Sequence, residues 1–450
     1  MSWVGMQLEG WGRIGGGPMT VCRPERISEA RQRMREVLPE QGVIAHGAGR
    51  AYGDAALNAH GRVMLTGRLD RMLSFDPESG LLEAEPGVRF ADLLSALLPR
   101  GWLAPVTPGT AFATLGGAVA NDVHGKNHDR VGSFGDHLAF IDLMLPSGEV
   151  SRITEGEHPA LFRATLGGLG LTGVVIGVGF RMMRVPSAVL RVRERRCRDL
   201  ASFLDALLTA RERASYSVGW IDGLAKGGAL GRGILEEGDP EPEPAADLSS
   251  TRRRELGVPI DLPGFLLNGA TVGLFNAAYY RRVPESGRER LASYRRFLYP
   301  LDSIARWNRI YGRRGFYQFQ CVLPEASAPR GLRRMLEDVA NAGRASFLAV
   351  LKTLGADGKG FLSFPMRGFT LALDFPRRPG VEELLARLER LTLDHGGRVY
   401  LAKDAMLSPD GFRAMYSRLP EFQTVLDEVD PDRRLNSDMA RRLRIRERVV

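Results

Sequence analysis

The sequence predicts a two-domain α+β protein. Three observations lead there. A short apolar run, "GVIA", enters a glycine-rich loop at residues 45–54 ("AHGAGRAYGD"), and the loop runs on into a β-rich stretch rather than a helix. The chain changes character near Pro186. From Leu190 onward strand-like and helix-like segments alternate, the pattern of an antiparallel sheet with helices on one face. A length of 450 residues suits two or three domains. The expected division is 1–188, 189–405 and a segment 406–450 that returns to the first domain. Inside the second domain an acidic, proline-bearing insertion over about 235–280 is expected to be mobile.

The elements follow in order. Residues 26–41 read as a helix that stops before "GVIA". After the loop, "GRVMLTG" and "MLSFDPESGLLEAEPGV" are β-rich, with turn chemistry at "DPESG". Phe90, Leu93, Leu94, Leu97 and Leu98 recur at helical spacing until Pro99 and Gly101 stop them. "LAFIDLMLPSGEV" reads as a hairpin turning at "PSGE". In the second half "FYQFQCVLP", "FLAVLKTLG" and "FTLALDFP" are strands, and "RGLRRMLEDVANAG" and "GVEELLARLERLTLDHGG" are helices. The tail from residue 412 is helical and polar-rich.

Composition narrows the function classes. The chain is 44% apolar and 26% charged, with net charge +9 and pI about 9.7. A basic surface could favour nucleic acid, anionic lipid or a phosphorylated substrate. No basic run is interleaved with aromatics, so nucleic acid is not expected. Cys22, Cys197 and Cys321 lie far apart, without CxxC or metal-ligand spacing, which fits a reducing compartment and no metal site. The N-terminus has neither a basic region nor an apolar core, so a cytoplasmic location is expected. Residues 262–280 form the longest uncharged run. Its proline, glycines and asparagines point to loop and short segments, open to a peripheral lipid contact.

"GAGRAYG" approximates the Rossmann fingerprint, but that fingerprint must open a helix. Asn58, His60 and Gly61 instead lead into strand. A tight turn remains, either a plain turn or one whose N–H groups converge on an anion. Residues 105–137 add Gly116, Gly117, Gly125, Gly132 and Gly135 in one stretch, and residues 165–175 ("TLGGLGLTGVV") add a third. A plain core does not need such spacing, whereas backbone approaching a large flat ligand does.

These three segments, in this order, resemble the FAD-binding domain of the vanillyl-alcohol-oxidase-type flavoproteins. "GRAYGD", "APVTPGT", "GGAVANDVHGKNH", "GSFG", "ATLGGLGLTG", "YLAKD" and "SDMARRL" together resemble the oxidase-subunit family of decaprenylphosphoryl-ribose 2'-epimerases over nearly the whole chain. The resemblance implies an FAD-dependent oxidoreductase that takes a hydride from C2' of a lipid-linked phosphoribose. It also implies an NAD(P)H-dependent short-chain reductase as second-step partner. A soluble polyol, sugar phosphate or nucleoside is the alternative substrate.

The resemblance also assigns roles. The FAD pyrophosphate would lie on Gly47, Ala48, Gly49, Arg50, Ala51, Tyr52 and Gly53. The rest of the cofactor would meet Gly109, Thr114, Leu115, Gly116 and Gly117, then His124, Gly125, Lys126 and Asn127, then Val175. Lys403, His124 and Tyr400 would stand at the reacting centre. Lys403 could act as base, or as a cation that stabilises an alkoxide. Its other reading is a surface lysine after a strand. Gln318 and Gln320 alternate on one strand and so share a face. With Lys352, Thr370, Ala372 and Trp220 they would wall the substrate. Mycobacterial members of this family carry cysteine where this chain has Ala372 and asparagine where it has Thr370. Many flavoproteins of this fold bind FAD covalently through a loop histidine, and the matching residue here is Arg50. FAD is therefore expected to be non-covalent.

Overall fold

A computed structural model describes residues 2–242, 256–344 and 347–448. Two sheets occupy the first part of the chain. One has four strands in the order Val4–Glu9, Gly16–Cys22, Arg62–Leu65, Val43–His46. The first pair is antiparallel and the other pairs are parallel. His46 lies opposite Leu65, so the glycine-rich loop joins two parallel neighbours without a crossover helix. The second sheet is antiparallel, in the order Met72–Phe75, Leu81–Ala84, Val174–Arg181, Leu138–Met144, Val150–Ile153. The expected helix forms at Phe90–Leu97, and Gly101 follows at φ 79°, which favours glycine.

The third sheet has eight antiparallel strands. Its order is Arg288–Ser293, Val189–Cys197, Gly233–Pro240, Tyr216–Ile221, Ala349–Leu354, Gly368–Pro376, Phe316–Pro324, Arg398–Val399. Side chains alternate between its faces. Phe319, Cys321, Leu323, Leu371, Leu373 and Leu351 point one way and form the core with the helices Leu200–Arg213, Ala328–Ala342 and Val381–Asp394. The other face carries polar groups, described below. The tail returns to the first sheet. Val43 N–H donates to Arg434 O (2.7 Å), Asn436 N–H to Val43 O (3.0 Å) and Asp438 N–H to Leu57 O (2.8 Å).

The segment expected to be a mobile insertion needs correction. Its first residues belong to the strand Gly233–Pro240, paired on both edges, and its last to the helix Gly269–Arg281. Residues 243–255 lie outside the described residues. The uncharged run at 262–280 is likewise helical over much of its length. Asn268 caps that helix by accepting from Ala270 N–H (2.9 Å) and Thr271 N–H (3.0 Å). Its inner face is held by Asn276, which donates to Asp222 Oδ1 at 2.7 Å. Capping and tertiary anchoring override the weak propensity of Gly269 and Gly273. No helix among the described residues is long and apolar enough to cross a membrane.

Candidate active site

Four stretches far apart in the chain meet around the glycine-rich loop. Trp11 N–H donates to Ala51 O (2.8 Å) and Gly12 N–H to Tyr52 O (3.0 Å). The contact demands glycine, because a Cβ at Gly12 would lie 2.6 Å from Phe316 O and 2.9 Å from Tyr52 O. Tyr52 N–H donates to Ala402 O (3.0 Å), and Tyr400 N–H donates to Gln320 O (2.8 Å). The turn at 400–404 is thus bonded both to the loop and to the third sheet. Arg442, from the helix Asp438–Arg442, closes the assembly. It donates to both oxygens of Asp54 (2.8 Å each), to Asp404 Oδ2 (2.9 Å) and to Leu407 O (2.9 Å).

Within the loop, no acceptor among the described residues takes the N–H of Ala48, Gly49, Arg50 or Ala51. Gly49 has φ +63°, which turns the backbone so that successive N–H groups gather. The Arg50 guanidinium stacks 4.1 Å over the Trp11 ring and 5.0 Å from Phe112, with no carboxylate within 4.0 Å among the described residues. A Cβ at Gly47 would strike Thr114 Oγ1, so the loop and the second glycine-rich segment touch. Thr114 caps the short helix Leu115–Ala120 through Gly117 N–H (3.3 Å). The N–H groups of Leu115 and Gly116 bond Val88 O and Pro86 O (2.9 Å each). The third segment docks on the same helix, with Gly167 N–H on Val119 O (3.0 Å) and Leu169 N–H on Ala120 O (2.8 Å).

His124 is buried where the first and second halves of the chain meet. Gln320 Nε2 donates to Thr370 Oγ1 (3.1 Å) and to His124 Nε2 (3.1 Å). That network puts the imidazole proton on Nδ1, which is buried without a partner among the described residues. Burial, and then the charge of Lys352, hold His124 well below its ordinary value, so it is neutral. Its ring centroid lies 5.1 Å from that of Tyr400, which stacks on Phe364 at 4.6 Å. Tyr400 donates its hydroxyl to Asn121 O (3.2 Å).

The polar face of the third sheet lies beside this histidine. Gln320 is opposite Ala372, Gln318 opposite Asp374, and Lys352 opposite Thr370. Trp220 pairs with Val350, which pairs with Ala372, so it shares the face. All six residues expected to wall the substrate therefore project from one side of one sheet. The Trp220 indole N–H donates to Phe347 O (2.9 Å) and its ring lies 4.7 Å from Tyr279.

Lys403 places its ammonium group 3.9 Å from the Tyr52 ring centroid. Burial brings this amine down to about 7, with Asp374 pulling it up and Lys352 pushing it further down. Lys352, with no carboxylate within 4.0 Å among the described residues, is lowered to about 8 by burial. Asp374 is buried and raised by burial to about 7. Gln318 Nε2 donates to its Oδ1 (2.5 Å) and the Tyr311 hydroxyl to its Oδ2 (2.9 Å).

Two of these residues escape sequence reasoning. Asp374 stands in "FTLALDFP" two places beyond Ala372, and its signal was an acid at the same parity as two expected wall residues in an apolar strand. Arg442 lies in "SDMARRL", where nothing local distinguishes it from its neighbour Arg441. Four expected cofactor residues are engaged or placed otherwise. Lys126 gives its ammonium group to Phe297 O and lies 4.5 Å from that ring. Gly109 is exposed, and Val175 is buried within the second sheet. Asn127 donates to Pro105 O (2.8 Å), and a Cβ at Gly125 would lie 2.6 Å from its Oδ1.

Comparison with known proteins follows the same layout. The family described as FAD binding domain matches residues 18–154, and that of D-arabinono-1,4-lactone oxidase matches residues 370–443, a span that includes Asp374, Lys403 and Arg442. The chain is 35% identical to the decaprenylphosphoryl-beta-D-ribose oxidase of Mycolicibacterium smegmatis, over 98% of its own length and 97% of the relative's. It is 34% identical to an uncharacterized protein of Streptomyces coelicolor, over 78% of this chain and 98% of that one. An L-gulono-1,4-lactone dehydrogenase of Mycobacterium tuberculosis is 23% identical over 95% of this chain and 96% of the relative.

Proposed function

The chain belongs to the decaprenylphosphoryl-β-D-ribose oxidase family of FAD-binding oxidoreductases, and on that premise we propose that it oxidises the 2'-hydroxyl of a polyprenylphosphoryl ribose to the ketone. This is the first half of a ribose-to-arabinose inversion. The observation that carries the reading is Lys403, an amine held near neutrality between the loop and the polar face of the third sheet.

The residues fit a flavin dinucleotide. The four N–H groups at 48–51, Arg50 and the His124 Nδ1–H lack partners among the described residues; the first two suit a pyrophosphate and the last a ring acceptor. FAD, when bound, supplies the two-electron acceptor for the hydride. The chain handles the proton that leaves the alcohol oxygen with it. Neutral Lys403 takes that proton, and the Asp374 carboxyl, fixed by Gln318 and Tyr311, sets how readily it does so. Lys352, with no close carboxylate among the described residues, meets the substrate phosphate. Gln320 fixes the His124 tautomer while it walls the sugar. FAD is held without a covalent bond, because arginine stands at the loop position and His46 is committed to Ala56 O (2.9 Å).

A separate NAD(P)H-dependent short-chain reductase completes the inversion. Ala372 and Thr370 change the wall beside the sugar and favour a second reading, oxidation of a soluble polyol, sugar phosphate or nucleoside. Anaerobic bleaching of the flavin separates the two. Polyprenylphosphoryl ribose should bleach it, while free alditols and nucleosides should not. Bleaching by the soluble compounds alone would remove the lipid-linked substrate.

A further inference from the structure

A surface outside the polar face has an unusual composition. Twelve large apolar side chains are exposed among the described residues, and five fall between positions 260 and 275. They are Ile260 (65% exposed), Phe265 (73%), Leu266, Leu274 (75%) and Phe275. The helix Gly269–Arg281 has no charged residue before its last position, yet Ala270, Leu274 and Ala278 face outward. An ordinary surface helix places charge there. The preceding turn is bonded to this helix through Thr271 Oγ1 to Leu266 O (2.6 Å) and Asn268 Nδ2 to Phe265 O (3.0 Å), so the apolar tips are held as one body.

An arginine cluster adjoins these tips. Arg378 donates to Gly264 O, next to Phe265. The positive charges of Arg344 and Arg314 bear on Arg378. Arg314, Arg377 and Arg378 line one groove with Glu382 and Glu383, and Arg313 is adjacent in the chain. Glu382 accepts the Tyr317 hydroxyl (2.6 Å). None of the five arginines has a carboxylate within 4.0 Å among the described residues, although most of the other described arginines do. Unpaired cations beside exposed aromatic and aliphatic tips match the chemistry of an anionic bilayer surface. The same helix reaches the candidate site through Tyr279, whose ring lies 4.7 Å from that of Trp220. Phe275 packs 5.4 Å from Phe347, whose carbonyl accepts the Trp220 indole N–H.

We infer that residues 260–278 and the Arg314–Arg344–Arg378 cluster form the face by which the enzyme docks on an anionic lipid membrane, delivering a lipid-linked substrate beneath the helix Gly269–Arg281. The docking chemistry stands on these residues alone, and its link to catalysis rests on the lipid-linked substrate proposed above.

The test is flotation of flavin-loaded enzyme with phosphatidylcholine vesicles, with and without phosphatidylglycerol. The wild type should float with the anionic vesicles and lose binding as salt rises. Arg314→Glu with Arg344→Glu should weaken binding by roughly thirty-fold or more. Phe265→Ser with Leu274→Ser should weaken it by roughly ten-fold or more. Both pairs should keep their melting temperature and their flavin bleaching with a detergent-solubilised short-chain substrate. Absence of wild-type flotation on anionic vesicles, or flotation unchanged in both variants, overturns the docking face. Variants that float normally but no longer bind a purified short-chain reductase overturn it in favour of a protein partner. Normal vesicle binding with no bleaching by any phosphoribosyl lipid supports the docking face and removes the substrate reading instead.

Discussion

Replacing Asp374 by asparagine tests the proton chemistry at its most exposed point. Lys403 is brought from 10.5 to about 7. At pH 7 roughly half of it is then neutral, against roughly one molecule in three thousand at the ordinary value. The Asp374 charge is the influence that keeps the amine from falling further. Asparagine matches the shape and removes that charge, so the lysine should drop by about one further unit. Flavin reduction should therefore rise with pH through about 7 in the wild type and about one unit lower in the variant. Asp374 itself is raised to about 7, so its charge acts on the amine from about that pH upward; near pH 7 about half of the lysine is neutral in the wild type and about nine-tenths in the variant. Relative to its own plateau, the variant should be up to roughly two-fold faster there. Anaerobic stopped-flow reduction between pH 5 and 9 measures this directly. An inflection that stays in place, or moves upward, would refute the coupling of Asp374 to Lys403.

The folded-state value of Lys403 lies below its unfolded value, so the unfolded chain binds more protons between about 7 and 10.5 and stability rises with pH across that window. Lys403→Met should flatten that rise and lift the melting temperature of the flavin-free protein at pH 7 by about 2–4 °C, as scanning fluorimetry would show; an unchanged or lower value counts against a costly buried amine. Acid precipitation should release all of the yellow flavin, and flavin retained in the pellet would disprove non-covalent binding. Covalent inhibitors that need the family's thiol should leave the intact mass unchanged, because residue 372 is alanine and Cys321 is buried on the opposite face with its thiol pushed up to about 12; Ala372→Cys should restore attachment. Arg442→Ala leaves Asp54 and Asp404 without their cation and should cost about 3 kcal/mol by denaturant titration, with weaker flavin retention.

What was legible in the sequence follows from what is local. The parity of Gln318 and Gln320 is a property of any strand, so their shared face could be read directly, and Lys352, Thr370 and Ala372 joined it once the strands were in register. The missing helix after the glycine loop was equally plain, because Asn58, His60 and Gly61 forbid it. Asp374 was missed because an acid on a strand looks like an edge residue until burial is known. Arg442 was missed because its partners lie 388 and 38 residues away. The helix Gly269–Arg281 was read as loop because its glycines lower its intrinsic propensity, while its cap and its Asp222 anchor are tertiary facts.

Arg442 also bears on how the molecule is assembled. The loop proposed to hold the cofactor is complete by residue 54, but the cation that ties it to the turn at 400–404 arrives only near the end of the chain. During synthesis nearly the whole protein must emerge before that ion pair can form. A fragment ending at residue 188 would keep the glycine-rich loop without that latch.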